Sequence, residues 1–254
     1  MAHQKKKYIV FAVIMVLWAV AVGAVVYLTL TRTVSATARL LPVYSVERED
    51  RAVALTFNCA WDETGLDELL AILKENGIRC TFFIVGDFAE RCPEAVRKIC
   101  NAGHELGNHS MDHKDPFGMS YADLLADITA CNELLYSLTG ERVTLYRAPS
   151  GSYNDDTVLA AQALGMTAIQ WDVDSVDWKD KTPEEITERI CGRIGSGSIA
   201  LFHVGKENTV RALPAIIETL RKEGYTFRTV GELLPEGETY LDVTGRLHVR
   251  ERNQ

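Results

Sequence analysis

His109 and His113 stand four residues apart in the run Asn101-Ala-Gly-His-Glu-Leu-Gly-Asn-His-Ser-Met-Asp-His113. If the backbone turns helical after Asn108, both imidazoles fall on one helix face. Two neutral imidazoles so placed can grip a divalent metal such as zinc. A His-x-x-x-His pair is a weak signal in a chain with six histidines. Its weight comes from the polar residues that recur behind other apolar runs: Asn58-Cys59, Gly86-Asp87, Arg147 with Pro149, Asp172, Asp174, Asp177-Trp178 and His203.

Those apolar runs are the elements that must position the chemistry. Residues 52–57, 80–85, the segment around His104, 143–146, 167–171, 198–202 and 225–230 read as strands. Helical spacing is predicted between them: 65–76 with Leu66, Leu69, Leu70 and Leu73 on one face, 93–103, 120–140, 155–163, 182–194 and 210–223. Ser120-Tyr-Ala-Asp123 resembles a capping box, and Thr182-Pro183-Glu184 an N-cap with proline at the first helical position. Gly77, Gly103, Gly140, Gly165 and Gly224 stand where helices must stop. Strict alternation of strand and helix implies an α/β fold with a parallel sheet, either open or an incomplete barrel. Each polar residue named above then lies just past the C-terminal end of a strand, the rim on which such folds build their sites.

The chain has 254 residues, 47% hydrophobic and 24% charged, enough for one domain with appendages. A net charge of -8 without a long basic run argues against nucleic acid as a partner. Lys5-Lys6-Lys7 precedes an uncharged run from Tyr8 to Leu30, and about 20 apolar residues suffice to cross a bilayer. The expected organisation is a cytoplasmic N-terminus (1–7), a transmembrane anchor (8–30), a linker (31–50), an extracytoplasmic domain (51–235) and a polar, irregular tail (236–254). A cleaved signal peptide ending near Ser35-Ala-Thr-Ala38 is the alternative. The six cysteines include no Cys-x-x-Cys pair, and most read as small buried hydrophobes.

Four short motifs carry a resemblance over about residues 52–234: His109-Ser110-Met-Asp-His113, Arg147-Ala-Pro149-Ser150-Gly151, Asp174-Ser-Val-Asp177-Trp178 and Leu201-Phe-His203. In order and spacing they resemble the polysaccharide deacetylases with a NodB homology domain, carbohydrate esterase family four. That resemblance implies a distorted, incomplete (β/α) barrel of about seven parallel strands. It also implies metal-dependent removal of N-acetyl groups from a glycan polymer such as peptidoglycan. His109 and His113 would hold the metal, zinc first with cobalt or nickel as alternatives. The Ser150 N–H would face the oxyanion, His203 would be the general acid positioned by Asp177, and Arg147 would orient the base.

The first motif departs from the family. Where the family has Thr-Phe-Asp-Asp-Gly, this chain has Thr56-Phe-Asn58-Cys59-Ala60-Trp61-Asp62, a variant that looks like membrane-anchored, sporulation-type members. An amide takes no proton at neutral pH, so Asn58 cannot be the general base. Cys59 could replace the second aspartate as a thiolate metal ligand, and Asp62 is the nearest carboxylate that could act as base. Trp61, Tyr153, Trp178 and Phe117 are candidate platforms for sugar rings. Two other readings fit the same residues: a catalytically silent domain that binds glycan or metal, and an O-acetyl esterase.

Overall fold

The computed structural model describes residues 14–23 and 39–250. Two compact units are distinguished, residues 1–39 and 40–254. In the first, residues 14–23 are helical, with exposed apolar side chains including Trp18. The rest of the segment expected to be an anchor lies outside the described residues. Among the described residues no helix is long and apolar enough to cross a membrane.

The second unit is an α/β half-barrel. Its strands are β1 (Ser45–Val46), β2 (Ala52–Cys59), β3 (Thr81–Ile84), β4 (Glu105–Asn108), β5 (Leu145–Tyr146), β6 (Thr167–Ala168), β7 (Val173–Asp174), β8 (Ile199–His203), β9 (Thr226–Phe227), β10 (Thr239–Leu241) and β11 (Arg246–Val249). The main sheet runs β6-β5-β4-β3-β2-β8-β7, and every pairing in it is parallel. β9 adds to the start of β2.

β2 is the centre of the fold, and all eight of its residues are buried. A strand alternates faces. Val53, Leu55, Phe57 and Cys59 point into the larger core beneath the helices. Phe57 stacks there between Phe82 at 5.1 Å and Phe202 at 5.4 Å, its register partners on β3 and β8. Thr56 and Asn58 therefore belong to the opposite, barrel-interior face with Ala52 and Ala54. This period of two decides which half of the altered first motif reaches the site.

The helices form largely where periodicity placed them. Pro93–Asn101, Tyr121–Thr139, Asp155–Ala163 and Pro183–Cys191 match their expected spans. Ser120 caps its helix, and Gly140 stops it at φ 74. Thr182 forms a full capping box with Glu185.

Three expectations need correction. The strand at 167–171 breaks: β6 joins one edge of the sheet and β7 the other. Val43 pairs with the chain as it leaves β6, its N–H donating to Ala168 and its carbonyl accepting from Gln170. The strand at 225–230 shortens to β9, because Thr229 instead caps a helix over Val230–Leu233. The segment expected to be an irregular tail contains the β10–β11 hairpin, with β1 parallel to β11. Asp242 Oδ1 holds its turn by accepting from the Thr244 and Arg246 N–H groups. Such short, half-polar strands leave little periodicity to read, and their third partner lies about two hundred residues away in sequence.

Candidate active site

The C-terminal strand ends surround a cavity of about 410 Å³. Asn58, Ala60, Trp61, His109, His113, Ser150, Trp171, Asp174, Trp178, Leu201 and His203 line it. The sequence motifs therefore converge, although not all in the manner expected.

No helix carries the histidine pair. Residues 109–113 form a loop, with Ser110 at φ 73 and His113 at φ 55. Asn108 holds its entry, accepting from the Ser110 N–H at 2.7 Å while its amide donates to Asn132. Asp127 accepts from Ser110 Oγ and the Met111 N–H. The imidazoles still meet edge to face, ring centroids 5.1 Å apart. His109 Nδ1 donates to the Arg147 carbonyl at 2.7 Å, and its Nε2 is buried without a partner. Burial holds the His109 ring well below the usual histidine pKa, and the charges of His113, Arg147 and His203 act in the same direction. Burial lowers His113 as well. Both rings are therefore neutral at neutral pH.

Arg147 is fully buried at the floor. Its Nη1 donates to Thr56 Oγ1 at 2.9 Å and Asn58 Oδ1 at 3.0 Å, and its Nη2 to the Gln170 carbonyl at 3.1 Å. Its guanidinium lies 3.9 Å from the centroid of the Phe83 ring. A Cβ at Gly107 would sit 2.5 Å from that ring, so only glycine leaves Phe83 room to support Arg147. These three acceptors of Arg147 are neutral, its Nε has none, and burial disfavours its charge.

On the opposite wall both carboxylate oxygens of Asp177 are partnered. Asp177 is buried on the 3₁₀ turn Asp177–Lys179. Its Oδ1 lies 2.7 Å from His203 Nδ1, and its Oδ2 accepts from the His203 N–H at 2.8 Å and Thr209 Oγ1 at 2.7 Å. Burial pushes the Asp177 carboxyl up, but these bonds outweigh it and hold the group below its usual pKa. Val176, just before the turn, is β-branched at φ 57, and Ser150 takes φ 55 across the cavity. Such strained backbone collects at functional sites.

Four candidates do not reach the cavity as expected. Cys59 faces the helix-side core with no exposed surface, and burial raises its thiol well above the usual value. It packs there as an apolar filler, because its neighbour Asn58 takes the interior face. Asp62 is exposed, its Oδ1 accepts from the Thr64 N–H, and it does not line the cavity. Tyr153 packs against the core beside Tyr146, with its hydroxyl 3.1 Å from that of Tyr44. Phe117 is exposed and away from the lining. Of the candidate platforms, Trp61 and Trp178 do line the cavity. The Trp61 and His203 ring centroids are 5.1 Å apart, and Lys206 Nζ lies 5.0 Å from the centroid of the Trp61 ring. Trp171 and Thr209 were not expected, and Thr56 was expected only as the start of the first motif. Trp171 is visible in the sequence only as the last residue of an apolar run; Thr209 carries no local signal.

The polysaccharide deacetylase family profile matches residues 45–169. A peptidoglycan-N-acetylglucosamine deacetylase of Bacillus cereus is 32% identical over 196 residues, covering 75% of this chain and 92% of that protein. The chain belongs to the polysaccharide deacetylase family. The uncharacterized protein YlxY of Bacillus subtilis is 29% identical, and the match covers 77% of this chain but 61% of YlxY. A solved CE4 family pseudoenzyme from Bacillus anthracis superposes with a TM-score of 0.74 at 31% identity, covering 76% of this chain and 68% of that one. A mutant of it described as having restored enzymatic activity has the same TM-score.

Deacetylases of this family are generally dependent on a divalent metal. The residues present meet that requirement in part. The unpartnered Nε2 of His109, on a ring oriented by a carbonyl, has the form of a metal ligand. His113 is beside it. Catalytic sites take three protein ligands, and with Cys59 turned away no third anionic donor joins them. Among the described residues no group of three or more histidine, cysteine or acidic side chains is placed to hold a metal ion. The donor set does not fit the family's catalytic metal.

Proposed function

We propose that this chain is directed at an N-acetylated cell-wall glycan and hydrolyses its N-acetyl groups only residually. Hydrolysis needs a base for the attacking water, donors for the developing oxyanion, and an acid for the leaving amine. The acid side supports such a role: Asp177 accepts from His203 Nδ1, which fixes the tautomer, and His203 lines the cavity. The Ser150 N–H remains the candidate oxyanion donor. The base side does not: the group that Arg147 orients is an amide, which accepts no proton. That contact is the observation that carries the proposal. Loss of a general base costs about 10²–10⁴-fold. The indoles of Trp61 and Trp178 at the cavity support a carbohydrate ligand, as do relatives that are peptidoglycan deacetylases.

The test is acetate release from N-acetylglucosamine oligomers and peptidoglycan, with zinc, cobalt or nickel. Wild type should be at or near background. Asn58→Asp should raise the rate, because Arg147 stands ready to orient a carboxylate there. Wild-type turnover that Asn58→Asp does not increase would overturn the proposal.

The uncharged run 8–30 behind Lys5 to Lys7 supports a placement for this domain outside the cell membrane, held by an anchor. Protease added to intact protoplasts should then remove the domain; its survival would refute that placement.

A further inference from the structure

The cavity floor carries a hydrogen-bond donor where the family has a proton acceptor. A guanidinium offers only N–H donors, so the atom of Asn58 that faces Arg147 Nη1 at 3.0 Å must be Oδ1. Nδ2 is thereby turned away from Arg147. Asn58 is 4% exposed and lines the cavity, and Nδ2 appears in no hydrogen bond among the described residues. His109 is fixed in the opposite sense. The Arg147 carbonyl oxygen can only accept, so His109 Nδ1 carries the proton and Nε2 a bare lone pair. That Nε2 is buried and unpartnered, on a ring that is 1% exposed and also lines the cavity.

A donor open to the cavity and a buried, unsatisfied acceptor thus share this site, and the buried one is costly to leave unmade. A secondary amide is the complement of that pair, with one carbonyl and one N–H. A carboxylate would set a second acceptor against the His109 lone pair. A free ammonium would set donors against Asn58 Nδ2. The neighbouring walls of Trp171 and Leu201 are apolar, which suits an acetyl methyl.

Resting on the glycan-directed reading above, we propose that the cavity recognises an intact N-acetyl group without metal. Asn58 Nδ2 donates to the acetyl carbonyl, and His109 Nε2 accepts from the amide N–H. Asn58 is then a specificity-determining residue for the uncleaved sugar. The substitution that removes the base supplies the reader. A metal ion would occupy the same His109 lone pair, so metal and acetamide compete, the reverse of a site in which metal assists binding.

Calorimetric titration of the full chain with N-acetylglucosamine oligomers and with fully de-N-acetylated oligomers tests this, in EDTA and in zinc. Wild type should bind acetylated oligomers in EDTA at least tenfold more tightly than de-N-acetylated ones, and zinc should weaken that binding. Asn58→Asp is nearly isosteric and gives Arg147 a counter-ion, so the fold should persist, with circular dichroism as the check. It should lose the tenfold preference and favour the cationic oligomer. Trp178→Ala should weaken both ligands and leave their ratio unchanged. Equal binding of the two oligomers by wild type, or binding that requires zinc, overturns this inference and leaves the glycan-directed reading standing. Absence of binding to either oligomer, with and without zinc, overturns both.

Discussion

The two walls of the cavity have fared differently. On the wall of β8 and the Asp177 turn, each carboxylate oxygen of Asp177 has a partner and His203 is held at two atoms. On the wall of β2, β4 and β5, the buried Arg147 faces an amide, and two polar atoms, His109 Nε2 and Arg147 Nε, have no partner at all. The half of the site proposed to supply the acid is hydrogen-bonded throughout Asp177, and the half proposed to hold base and metal keeps unpartnered atoms. The damage is confined to the end of one strand. Thr56 and Arg147, which the first motif would need, are still in place and hydrogen-bonded. A catalytic site on a parallel sheet is assembled from separate strand ends, so one end can change its chemistry while the others keep theirs.

The largest expected effect breaks the intact wall. Asp177→Ala removes the acceptor of three buried hydrogen bonds and should cost about 3–5 kcal/mol of stability, read by denaturant unfolding. A loss below about 1 kcal/mol would mean that this wall is no better organised than the other.

Asn58→Asp sharpens the contrast from the other side. An aspartate beside Arg147 should have a depressed pKa. Its contribution is therefore present above the unfolded value of about 3.9 and is lost as pH falls through the folded value. The variant should be more stable than wild type by about 1–3 kcal/mol at pH 7, with the gain vanishing in acid. Destabilisation at pH 7 would show that the floor has readjusted around a neutral residue.

Cys59→Ala should cost about 1 kcal/mol, as a small truncation in a packed core, and leave both zinc affinity and ligand binding unchanged. A fall in zinc affinity of tenfold or more would return Cys59 to the metal site.

The smallest effect lies far from the cavity. His248 bridges Glu47 and Asp242, whose hydrogen bonds and charges raise its pKa. A raised histidine contributes stability that is complete below its unfolded pKa of about 6.5 and is lost as pH rises through the folded one. The melting temperature of His248→Gln should fall below wild type at pH 5.5 and converge with it at pH 9. A difference independent of pH would make the contact one of packing.

How much of this was legible beforehand can be followed residue by residue. Leu66, Leu69 and Leu73 announced their helix by spacing, and Ser120, Thr182 and Gly140 its neighbours' ends, because caps and periodicity are local properties. The short strands β10 and β11 were not legible, since pairing with β1 depends on a distant segment. His109 and His113 were rightly brought together, but on a wrong local geometry. A loop at positive φ, tied by Asn108 and Asp127, does what a helix face was expected to do.

The amino-acid sequence by itself determined the alternating α/β order, the strand ends that carry polar residues, and the absence of a carboxylate at positions 58 and 59. These depend on residue type and local spacing alone. Tertiary structure decided which of those residues share a cavity. Residue type cannot distinguish Asn58 from Cys59 as the inward one; the pleat of β2, held on both sides by β3 and β8, does so. The direction of the Asn58 amide was likewise undetermined until Arg147, 89 positions away in the chain, claimed its oxygen. A side chain's chemistry belongs to the residue, but its orientation belongs to the partners that folding brings to it.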